Sequence, residues 1–462
     1  MQSTYVPSAA VSKAPPARKA RRAARPAALW LAVAAVLLAA IASRLPGILV
    51  GSGHGFDHWT MQVWTRAMVE HPLASFYGLE LDVPQDHLPG DLLIFAGLGK
   101  LLSGVVPGVA DGTYPDPAII KTVAILADLG IGTLIFAIGR KLASRRAALV
   151  AMAAFLLSPG VVYVSSIWGQ WDAVSALFAV AAVWLAMRGG HASAASWLPL
   201  AYACLIKPQY GLIAPFLLLF FWKRDGWSGM RHSAAGIVAG LGLVQLVASL
   251  FDAGLPGIPA RWSLLDLMRG AVDEYDAISL NGHNIWILPI GRGAPFSDQD
   301  VFFAGITYQA LGMALFALAF ALILWSATRI TDNQIALAWG SAATMMAMFV
   351  TMTRMHERYL FPALPLLVIA AMLMPRLRIA AVVIHLAYAM NIHIAYMNGH
   401  SGPGLLQNDL AYRLNALVVI GAFVCVMVVG IQEALACRKA RLPSESGLGK
   451  RRIASDPSLR SG

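Results

Sequence analysis

Charged side chains are scarce in this sequence, and their scarcity excludes several classes of protein. Asp, Glu, Lys and Arg make up 13% of the 462 residues, whereas soluble domains contain about 25%. An ordinary cytosolic enzyme is therefore excluded, and so is a disordered chain, which needs high charge and few apolar residues. The net charge of +11 does not indicate a nucleic-acid partner, because 58% of the residues are hydrophobic.

Cysteine is also scarce, and the motifs of nucleotide sites are absent. Cys204, Cys425 and Cys437 lie far apart in the chain, so they predict neither a disulfide framework nor a metal cluster. No glycine-rich phosphate loop is present. The sequence therefore predicts no cofactor and no metal ligand set, and it leaves dependence on a divalent metal open.

Long apolar runs are what the sequence does contain. Runs of about 20 apolar residues separated by short polar segments are typical of a polytopic helical membrane protein. The pattern predicts an all-α chain with about twelve transmembrane helices. The predicted spans are 29–50, 118–139, 147–165, 170–187, 195–206, 208–222, 233–252, 302–326, 334–353, 357–375, 378–396 and 414–436.

Three apolar segments depart from that simple pattern. The runs 195–206 and 208–222 are too short to cross a core of about 30 Å as straight helices, so we expect them to be broken or tilted. The run 88–107 contains Asp91 and Lys100. We interpret it as a helix that lies on the outer membrane surface.

The distribution of basic residues sets the orientation. With both termini inside, about two thirds of the 35 Lys and Arg residues fall on the inner side, as the positive-inside rule requires. This predicts basic cytoplasmic tails at 1–28 and 437–462, around a transmembrane domain at 29–436. Two long loops, 51–117 and 253–301, then face outside. The small residues Ala40–Ala42 also allow a cleaved signal peptide.

Unusual polar residues gather at the outer helix ends. The first group surrounds Asp57, just after the first span. A carboxylate at the membrane rim can act as a general base toward a hydroxyl group. The alternative is that Asp57 caps the helix that follows it.

Two further groups lie between later spans. Gln170 and Asp172 lie among tryptophans, and they suit binding of sugar hydroxyls, although Asp172 also suits a helix cap. Lys207 and Gln209 lie between two apolar half-helices. Lys207 is a candidate for binding phosphate, with a membrane-surface anchor as the alternative.

The second long outer loop and a late helix junction carry two more groups. Amide, imidazole and indole groups suit carbohydrate contact, although Asn281-Gly282 also suits an ordinary turn. Arginine forks bind phosphate with two hydrogen bonds, and a purely structural Arg–Glu pair is the alternative at the second group. The candidate sugar contacts are Asn281, His283, Asn284 and Trp286, and the candidate phosphate contacts are Arg354, His356 and Arg358.

At these residues the chain resembles the GT-C glycosyltransferases. It is most similar to bacterial membrane proteins that resemble the glycosylphosphatidylinositol mannosyltransferase of the second mannose step. The resemblance covers residues 45–400 and is most specific at Met355–Leu360. Its other motifs are Asp57, Trp168–Asp172, Lys207–Gln209 and Asn281–Trp286.

The resemblance implies transfer of a sugar, with mannose as the first candidate, from a polyprenyl-phosphate donor to a hydroxyl acceptor on the outer face. The acceptor class, whether lipid, glycan or protein, stays open. The family's acid in the first outer loop is the general base, and Asp57 occupies that position. Relatives often carry a second acid beside it, where this chain has His58.

A transporter or a lipid flippase is the alternative from another class. Transporters place polar groups near the membrane midplane, often between broken helices. Asp128 falls within a span, and 195–222 suits a broken pair. The one-sided placement of the polar groups favours the glycosyltransferase, which we expect in a bacterial inner membrane among membrane lipids.

Overall fold

A computed structural model gives the fold of most of the chain. It describes residues 17–50, 53–105, 117–189, 191–273, 275–291, 296–400 and 408–441. The predicted tails therefore lie partly outside the described residues, as do positions 106–116 of the first predicted outer loop. We number helices and strands in chain order.

The described residues are mostly helical. The α-helices are α1 (Ala17–Val50), α2 (Gly55–Glu70), α3 (Pro89–Val105), α4 (Pro117–Leu142), α5 (Arg145–Leu156), α6 (Pro159–Val162), α7 (Asp172–Arg188), α8 (Trp197–Ile206), α9 (Ala214–Ser249), α10 (Leu264–Asp273), α11 (Ile287–Ile290), α12 (Tyr308–Arg329), α13 (Asn333–Thr351), α14 (Ala363–Leu373), α15 (Arg378–His400) and α16 (Asp409–Arg441).

Shorter elements connect the helices. Two small sheets lie in the segment 253–307: β1 (Ala253–Gly254) pairs in parallel with β2 (Trp262–Ser263), and β3 (Val301–Phe303) pairs antiparallel with β4 (Ile306–Thr307). A π-helical turn covers Tyr163–Trp168. The 3₁₀ turns are Leu73–Gly78, His191–Ser196, Pro208–Ile213 and Pro375–Leu377.

The prediction of an all-α, polytopic membrane protein is confirmed. Within the described ranges, seven helices are long and apolar enough to cross a membrane, and a bent pair brings the number to eight. That pair joins Arg145–Leu156 to Pro159–Trp168 at an angle of 49°, and it covers the predicted span 147–165. Each of the twelve predicted apolar segments overlaps a helix, although Ala194–Ile206 and Ala363–Leu373 are short. The span predicted at 302–326 begins in β3 and β4, and the one predicted at 357–375 begins in turns.

One long helix contains a break that the sequence expectation had treated as a loop. The predicted spans 208–222 and 233–252 run into each other in α9. Gly226 has φ 56° and ψ −135°, a conformation that only glycine adopts readily. Lys223, just before this break, donates to the carbonyls of Ala327 and Ile330 at the end of α12. Two helical segments therefore meet at Gly226.

The bundle has two distinct ends. At one end, Lys141 donates to the carbonyl of Arg188, and Arg224 donates to the carbonyl of Ala186 at 3.3 Å. Gly139 lies against Met372 and Ala148, which brings the start of α5 and the end of α14 to the same place. We call this the basic end, defined by Lys141, Arg146, Lys223, Arg329 and Arg378.

The opposite end carries the polar groups singled out from the sequence. There α3 packs on the start of α7, and the rings of Phe95 and Trp171 stack 3.9 Å apart. Tyr202 on α8 donates to the carbonyl of Gly90 at 2.8 Å. The predicted surface helix 88–107 thus corresponds to α3, whose depth in a bilayer stays a prediction.

Candidate active site

The carboxylate of Asp57 is held in a defined orientation. Asp57 lies in the first turn of α2, where the helix dipole favours a negative charge. Its Oδ2 accepts a hydrogen bond of 2.7 Å from the indole nitrogen of Trp168 and a second one from the Gln170 amide. The residue that precedes the helix is His54, and Asp57 makes no capping bond. The alternative interpretation of Asp57 as a helix cap is therefore wrong.

The two hydrogen-bond donors come from a tight turn that only glycine permits. Gly169 has a φ of 88°, and the backbone amides of Gly169 and Gln170 both donate to the Val164 carbonyl. A Cβ added to Gly169 would lie 1.9 Å from Nε2 of His58. The His58 ring hydrogen-bonds to the Trp168 carbonyl at 3.0 Å, so it connects this turn to the start of α2.

Arg358 is surrounded by three carboxyl groups. Its Nη1 lies 3.3 Å from Oε1 of Glu357 and 4.0 Å from Oδ2 of Asp57, and its Nε lies 3.8 Å from Oδ2 of Asp172. Lys207 forms an ion pair with Oδ1 of Asp172. The ammonium of Lys207 also lies 5.4 Å from the centre of the Tyr359 ring, within range of a cation–π contact. We call Asp57, Asp172, Lys207, Glu357 and Arg358 the charged cluster.

Two buried polar atoms in the charged cluster lack hydrogen bonds. Among the described residues, Nε of Arg358 and Oδ2 of Asp172 have no partner. Buried polar groups are normally satisfied, so each exception calls for an explanation. A donor and an acceptor 3.8 Å apart, both unsatisfied, are suited to a polar ligand that bonds to each of them.

The environment shifts the acidity of the cluster carboxyls in opposite directions. Burial acts to raise the pKa of Asp57. The charges of Arg358 and His54, with the two hydrogen bonds to the carboxylate, outweigh burial and lower the pKa. Burial raises the pKa of Glu357 to about 7, although Arg358 opposes it. Near neutral pH, Asp57 is therefore ionised while Glu357 is partly protonated.

Two histidines of this region, His356 and His58, are neutral at physiological pH. Burial, with the positive charges of Arg358 and Lys207, lowers the pKa of His356 to about 3. Burial, with the charge of Lys121, lowers the pKa of His58 to about 4. His356 packs edge-on against Tyr275 and tilted against Tyr359, so it borders the charged cluster.

An aromatic wall stands beside Asp57. His54 stacks on Trp168 with ring centres 4.9 Å apart, and Tyr396 of α15 lies 5.6 Å from Trp168. Nδ1 of His54 is 3.4 Å from the Asp57 carboxylate. Flat aromatic faces next to hydrogen-bonding groups suit a sugar ring. The sequence had placed His54 in the polar group around Asp57 and Trp168 in a motif of the resemblance, but neither was named as a site residue. Tyr396 was not singled out, because nothing local marks a residue that reaches the site from a distant element.

A His–Asp pair lies at the start of α3. The His87 ring bonds to the carboxylate of Asp91, and the His87 carbonyl accepts 2.8 Å from the Tyr77 hydroxyl. Burial acts to lower the pKa of His87, but the charge of Asp91 and its hydrogen bond outweigh burial and raise the pKa. The charge of Lys207 also acts to lower it. The pair therefore borders the Lys207 side of the charged cluster. In the sequence, the His-x-x-x-Asp spacing at the start of a predicted helix would have indicated the pair of His87 and Asp91.

The predicted sugar contacts of the second outer loop are hydrogen-bonded within the protein. Asn284 donates to the carbonyls of Phe349 and Met352 at 3.1 and 3.2 Å. Trp286 donates to the Thr351 carbonyl at 3.0 Å. Asn284 and Trp286 therefore hold the chain segment that leads into the charged cluster. His283 is fully buried, and its Nδ1 lies 2.8 Å from the side-chain amide of Asn415 on α16.

Asn281 belongs to the same structure through its backbone. It has a φ of 61°, its carbonyl accepts a hydrogen bond from Asn391, and it forms a bridge with His356. Its side chain is exposed. Asn281 thus connects the second outer loop directly to the segment 355–358.

The structure separates Arg354 from Arg358. The guanidinium of Arg354 donates to both carboxylate oxygens of Asp298 at 2.8 and 2.9 Å, and it contacts Asp273 at 3.2 Å. Thr353 donates to the same Asp298 carboxylate at 2.7 Å. Arg354 therefore ties the second outer loop to the segment after α13, with its guanidinium paired to two carboxylates.

The other predicted contacts are placed as follows. Gln170 and Asp172 lie in the site, where one orients Asp57 and the other pairs with Lys207. Asp172 makes no capping bond at the start of α7, so its interpretation as a cap is wrong. Gln209 lies half-buried on the 3₁₀ turn after Lys207.

Within the described ranges, no three His, Cys, Asp or Glu side chains are placed to hold a metal ion.

Comparisons with known proteins show a likeness to solved structures. No family model matches the chain, and no curated protein is similar to it. Among solved structures, the chain is similar to the crystal structure of ArnT from Cupriavidus metallidurans bound to undecaprenyl phosphate. The two share 15% identity with a TM-score of 0.48, over 88% of this chain and 78% of that one.

Proposed function

We propose that the protein is a membrane glycosyltransferase of the GT-C type. It transfers a sugar, with mannose as the first candidate, from a polyprenyl-phosphate donor to a hydroxyl group. One observation carries the proposal: an oriented carboxylate, Asp57, lies 4.0 Å from Arg358, a buried guanidinium with an unsatisfied Nε. These are a proton acceptor and a phosphate-binding group in one place.

Asp57 serves as the general base. Both hydrogen bonds donated to it by described residues go to Oδ2, which leaves Oδ1 to accept the proton of the acceptor hydroxyl. The lowered pKa keeps the carboxylate ionised at neutral pH. The hydroxyl oxygen attacks the anomeric carbon as it loses its proton, the bond from that carbon to the phosphate oxygen breaks, and the configuration inverts.

Arg358 and Lys207 stabilise the leaving phosphate. The negative charge on a leaving phosphate grows in the transition state, so cations fixed beforehand at that place lower the barrier. The guanidinium of Arg358 faces three carboxylates at 3.3 to 4.0 Å, which hold it in position without occupying Nε. His356, uncharged at neutral pH, borders the same space and is available as a hydrogen-bond partner.

The remaining predicted contacts fall into two groups. Asp172 within the charged cluster and Gln170 beside it remain candidates for sugar contact, and Gln209 remains a candidate on the phosphate side. For Arg354, Asn284 and Trp286, the hydrogen bonds favour positioning of the segment 349–358 over direct contact with the substrate. His283 is bonded to Asn415 of α16 instead.

We also propose that the charged cluster faces the outside of the cell membrane, with both termini in the cytoplasm. The opposite end of the bundle supports this orientation, because it is rich in Lys and Arg as the positive-inside rule requires. The residues concerned are Arg140, Lys141, Arg145, Arg146, Arg188, Lys223, Arg224, Arg329, Arg376 and Arg378. The acceptor, whether lipid, glycan or protein, then approaches from outside.

The residue that favoured a transporter has a structural partner. Asp128 of α4 forms a fully buried ion pair of 2.9 Å with Arg44 of α1. Arg44 also donates to Ser165 and to the carbonyls of Ala40 and Leu156. This network explains Asp128 as a link between helices, although Oδ1 of Asp128 has no hydrogen-bond partner among the described residues. Asp128 by itself therefore does not favour a transporter.

The first test is transfer from a labelled donor. Membranes that contain the wild-type protein should release label from polyprenyl-phosphate mannose and attach it to a second product. Asp57→Asn keeps an oxygen for the Trp168 hydrogen bond but removes the base, so we expect a loss of about 10²- to 10⁴-fold. Thin-layer chromatography of the extracted lipids and products measures both steps.

Asp266→Asn is the matched control, because Asp266 lies on α10 with an exposed side chain, and its activity should equal the wild type. Transfer at the wild-type rate by Asp57→Asn would contradict the assignment of the base. If the wild type transfers no sugar from mannose, glucose or arabinose donors, the proposed reaction is wrong.

A further inference from the structure

A cleft opens between α5 and α15 at the basic end, away from the charged cluster. Its volume is about 680 Å³, and α14 forms its floor through Val368, Ala371 and Met372. Small side chains on α5 and α15 leave the space between the two helices open. The cleft residues of α5 and α15 are mostly apolar, including Ala147, Val150, Ala151, Ala154, Leu157, Ala381, Val382 and Leu386.

The length of the cleft matches one leaflet of a bilayer. It follows α5, a helix of 12 residues, from Ser144 to the bend at Ser158 and Pro159. A helix rises about 1.5 Å per residue, which gives about 18 Å. Half of a hydrocarbon core of about 30 Å is about 15 Å. An acyl chain that enters from the basic end therefore fits in the cleft down to the membrane midplane.

The mouth of the cleft is positively charged. Arg146 and Arg378 line it, both are exposed, and neither forms an ion pair with any described residue. Two helices begin here, α5 at Arg145 and α15 at Arg378, and helix starts carry partial positive charge. Two guanidinium groups beside an apolar channel match a phosphate on a hydrocarbon chain.

We propose that this cleft binds one anionic phospholipid of the leaflet at the basic end. One acyl chain lies between α5 and α15 on α14, and the phosphate lies between Arg146 and Arg378. This lipid is distinct from the sugar donor, whose phosphate must reach Arg358 at the opposite end of the bundle. The proposal is independent of the proposed reaction.

Native mass spectrometry of the delipidated full-length protein in detergent tests the proposal. The probes are phosphatidylglycerol and phosphatidylcholine with identical palmitoyl and oleoyl chains. We expect one phosphatidylglycerol to bind each chain in preference to phosphatidylcholine. Arg146→Gln with Arg378→Gln should weaken phosphatidylglycerol binding about tenfold, because two charge-assisted contacts are lost. It should weaken phosphatidylcholine binding less, because the choline cation already offsets the charge of that phosphate.

Two further variants test whether lipid binding depends on the cleft and on the two arginines that line it. Arg145→Gln with Arg376→Gln removes two charges from the same end at residues that do not line the cleft, so binding should match the wild type. Ala154→Trp fills the cleft from an exposed position and should abolish binding of both lipids. Unchanged thermal unfolding in detergent shows that this variant is folded.

Three results would overturn the proposal. The first is equal binding of phosphatidylglycerol by the wild type and the Arg146→Gln, Arg378→Gln variant. The second is equal affinity of the wild type for the two lipids. The third is a dimer of the delipidated protein that Ala154→Trp dissociates, because a helix of a second copy would then occupy the cleft.

Discussion

At the scale of single residues, Arg358 determines the electrostatics of the site. Its guanidinium lies within 4.0 Å of three carboxyl groups that arrive from different elements. Asp57 responds with a lowered pKa, whereas the deeper burial of Glu357 raises its pKa to about 7. Near neutral pH, Asp57 is therefore ionised, whereas Glu357 is partly protonated. The two acids thus suit different roles, Asp57 as the proposed base and Glu357 as a group that changes the local charge.

In the proposed reaction, we therefore expect Glu357 to make binding of the donor depend on pH. Below pH 7, Glu357 is protonated and the cluster carries one negative charge fewer. Above pH 7, its charge repels the donor phosphate, so we expect the KM for the donor to rise about tenfold between pH 6 and pH 8, the effect of one charge a few ångströms away. Initial rates at varied donor concentration measure this change.

Glu357→Gln should abolish this dependence and keep the low KM across the range. Glu80→Gln, at an exposed position in the same predicted outer loop as Asp57, should retain the wild-type profile. A rise in KM that persists in Glu357→Gln would assign the titration to another group. His87, whose pKa Asp91 raises, would be the next candidate.

The chemistry of the site residues could be read from the sequence only in part. Asp57, Lys207 and Arg358 stand out because charges at predicted membrane edges are rare, and the structure brings them together. Glu357 was treated only as a structural partner of arginine, and His87 with Asp91 was not singled out. Their roles depend on burial and on neighbours from remote segments, which spacing along the chain does not encode.

At the scale of structural elements, the site depends on irregular segments at helix ends. The π-helical turn Tyr163–Trp168 and Gly169 place two donors on Asp57. The second outer loop supports the segment after α13 through Asn284 and Trp286. Apolar periodicity predicted the helices on both sides of these segments. It could not predict the turns, because these are fixed by hydrogen bonds between distant parts of the chain.

The role of Asn284 distinguishes positioning from substrate contact. Asn284→Ala leaves the carbonyls of Phe349 and Met352 without their donor. A buried group that loses its partner costs about 1–3 kcal/mol, so thermal unfolding should occur at a lower temperature and kcat should fall. Differential scanning fluorimetry and transfer assays measure the two effects.

Asn281→Gly is the comparison, because the exposed Asn281 contributes only backbone groups to the described hydrogen bonds and glycine adopts its φ of 61° without strain. Its unfolding temperature and kcat should stay close to those of the wild type. A reversed order, with Asn281→Gly inactive and Asn284→Ala active at full stability, would restore the prediction of direct sugar contact by this loop.

At the scale of the whole molecule, the apolar pattern predicted the helical bundle correctly, because a bilayer imposes a minimum length on each apolar run. Helix boundaries were less accurate. The first helix extends back to Ala17, and Gly226 breaks a continuous helix without a loop. Hydropathy marks where the membrane lies but not where helical hydrogen bonds end, so these features were not predictable.

The buried pair between Arg44 and Asp128 joins α1 to α4 within the bundle. Arg44→Met leaves the Asp128 carboxylate buried without a counter-charge, which costs about 3–5 kcal/mol. We therefore expect a marked fall in unfolding temperature and in the yield of folded protein. Arg44→Met combined with Asp128→Leu removes both charges and should recover most of the stability.

Transfer activity of the double variant gives the decisive readout. Activity near the wild-type level is expected, because neither residue belongs to the charged cluster. A double variant that is stable but fully inactive would show that the pair takes part in the reaction itself, and the structural account of Asp128 would then be wrong.

The arrangement of the charged cluster has a consequence for biosynthesis. Asp57, Asp172 and Lys207 are made early in translation, but Arg358 is made much later. A nascent chain that has not reached Arg358 can pair Asp172 with Lys207 but lacks the guanidinium that lies 4.0 Å from Asp57. A chain that stops before Arg358 therefore never completes the charged cluster, whatever part of the helical bundle it has already formed.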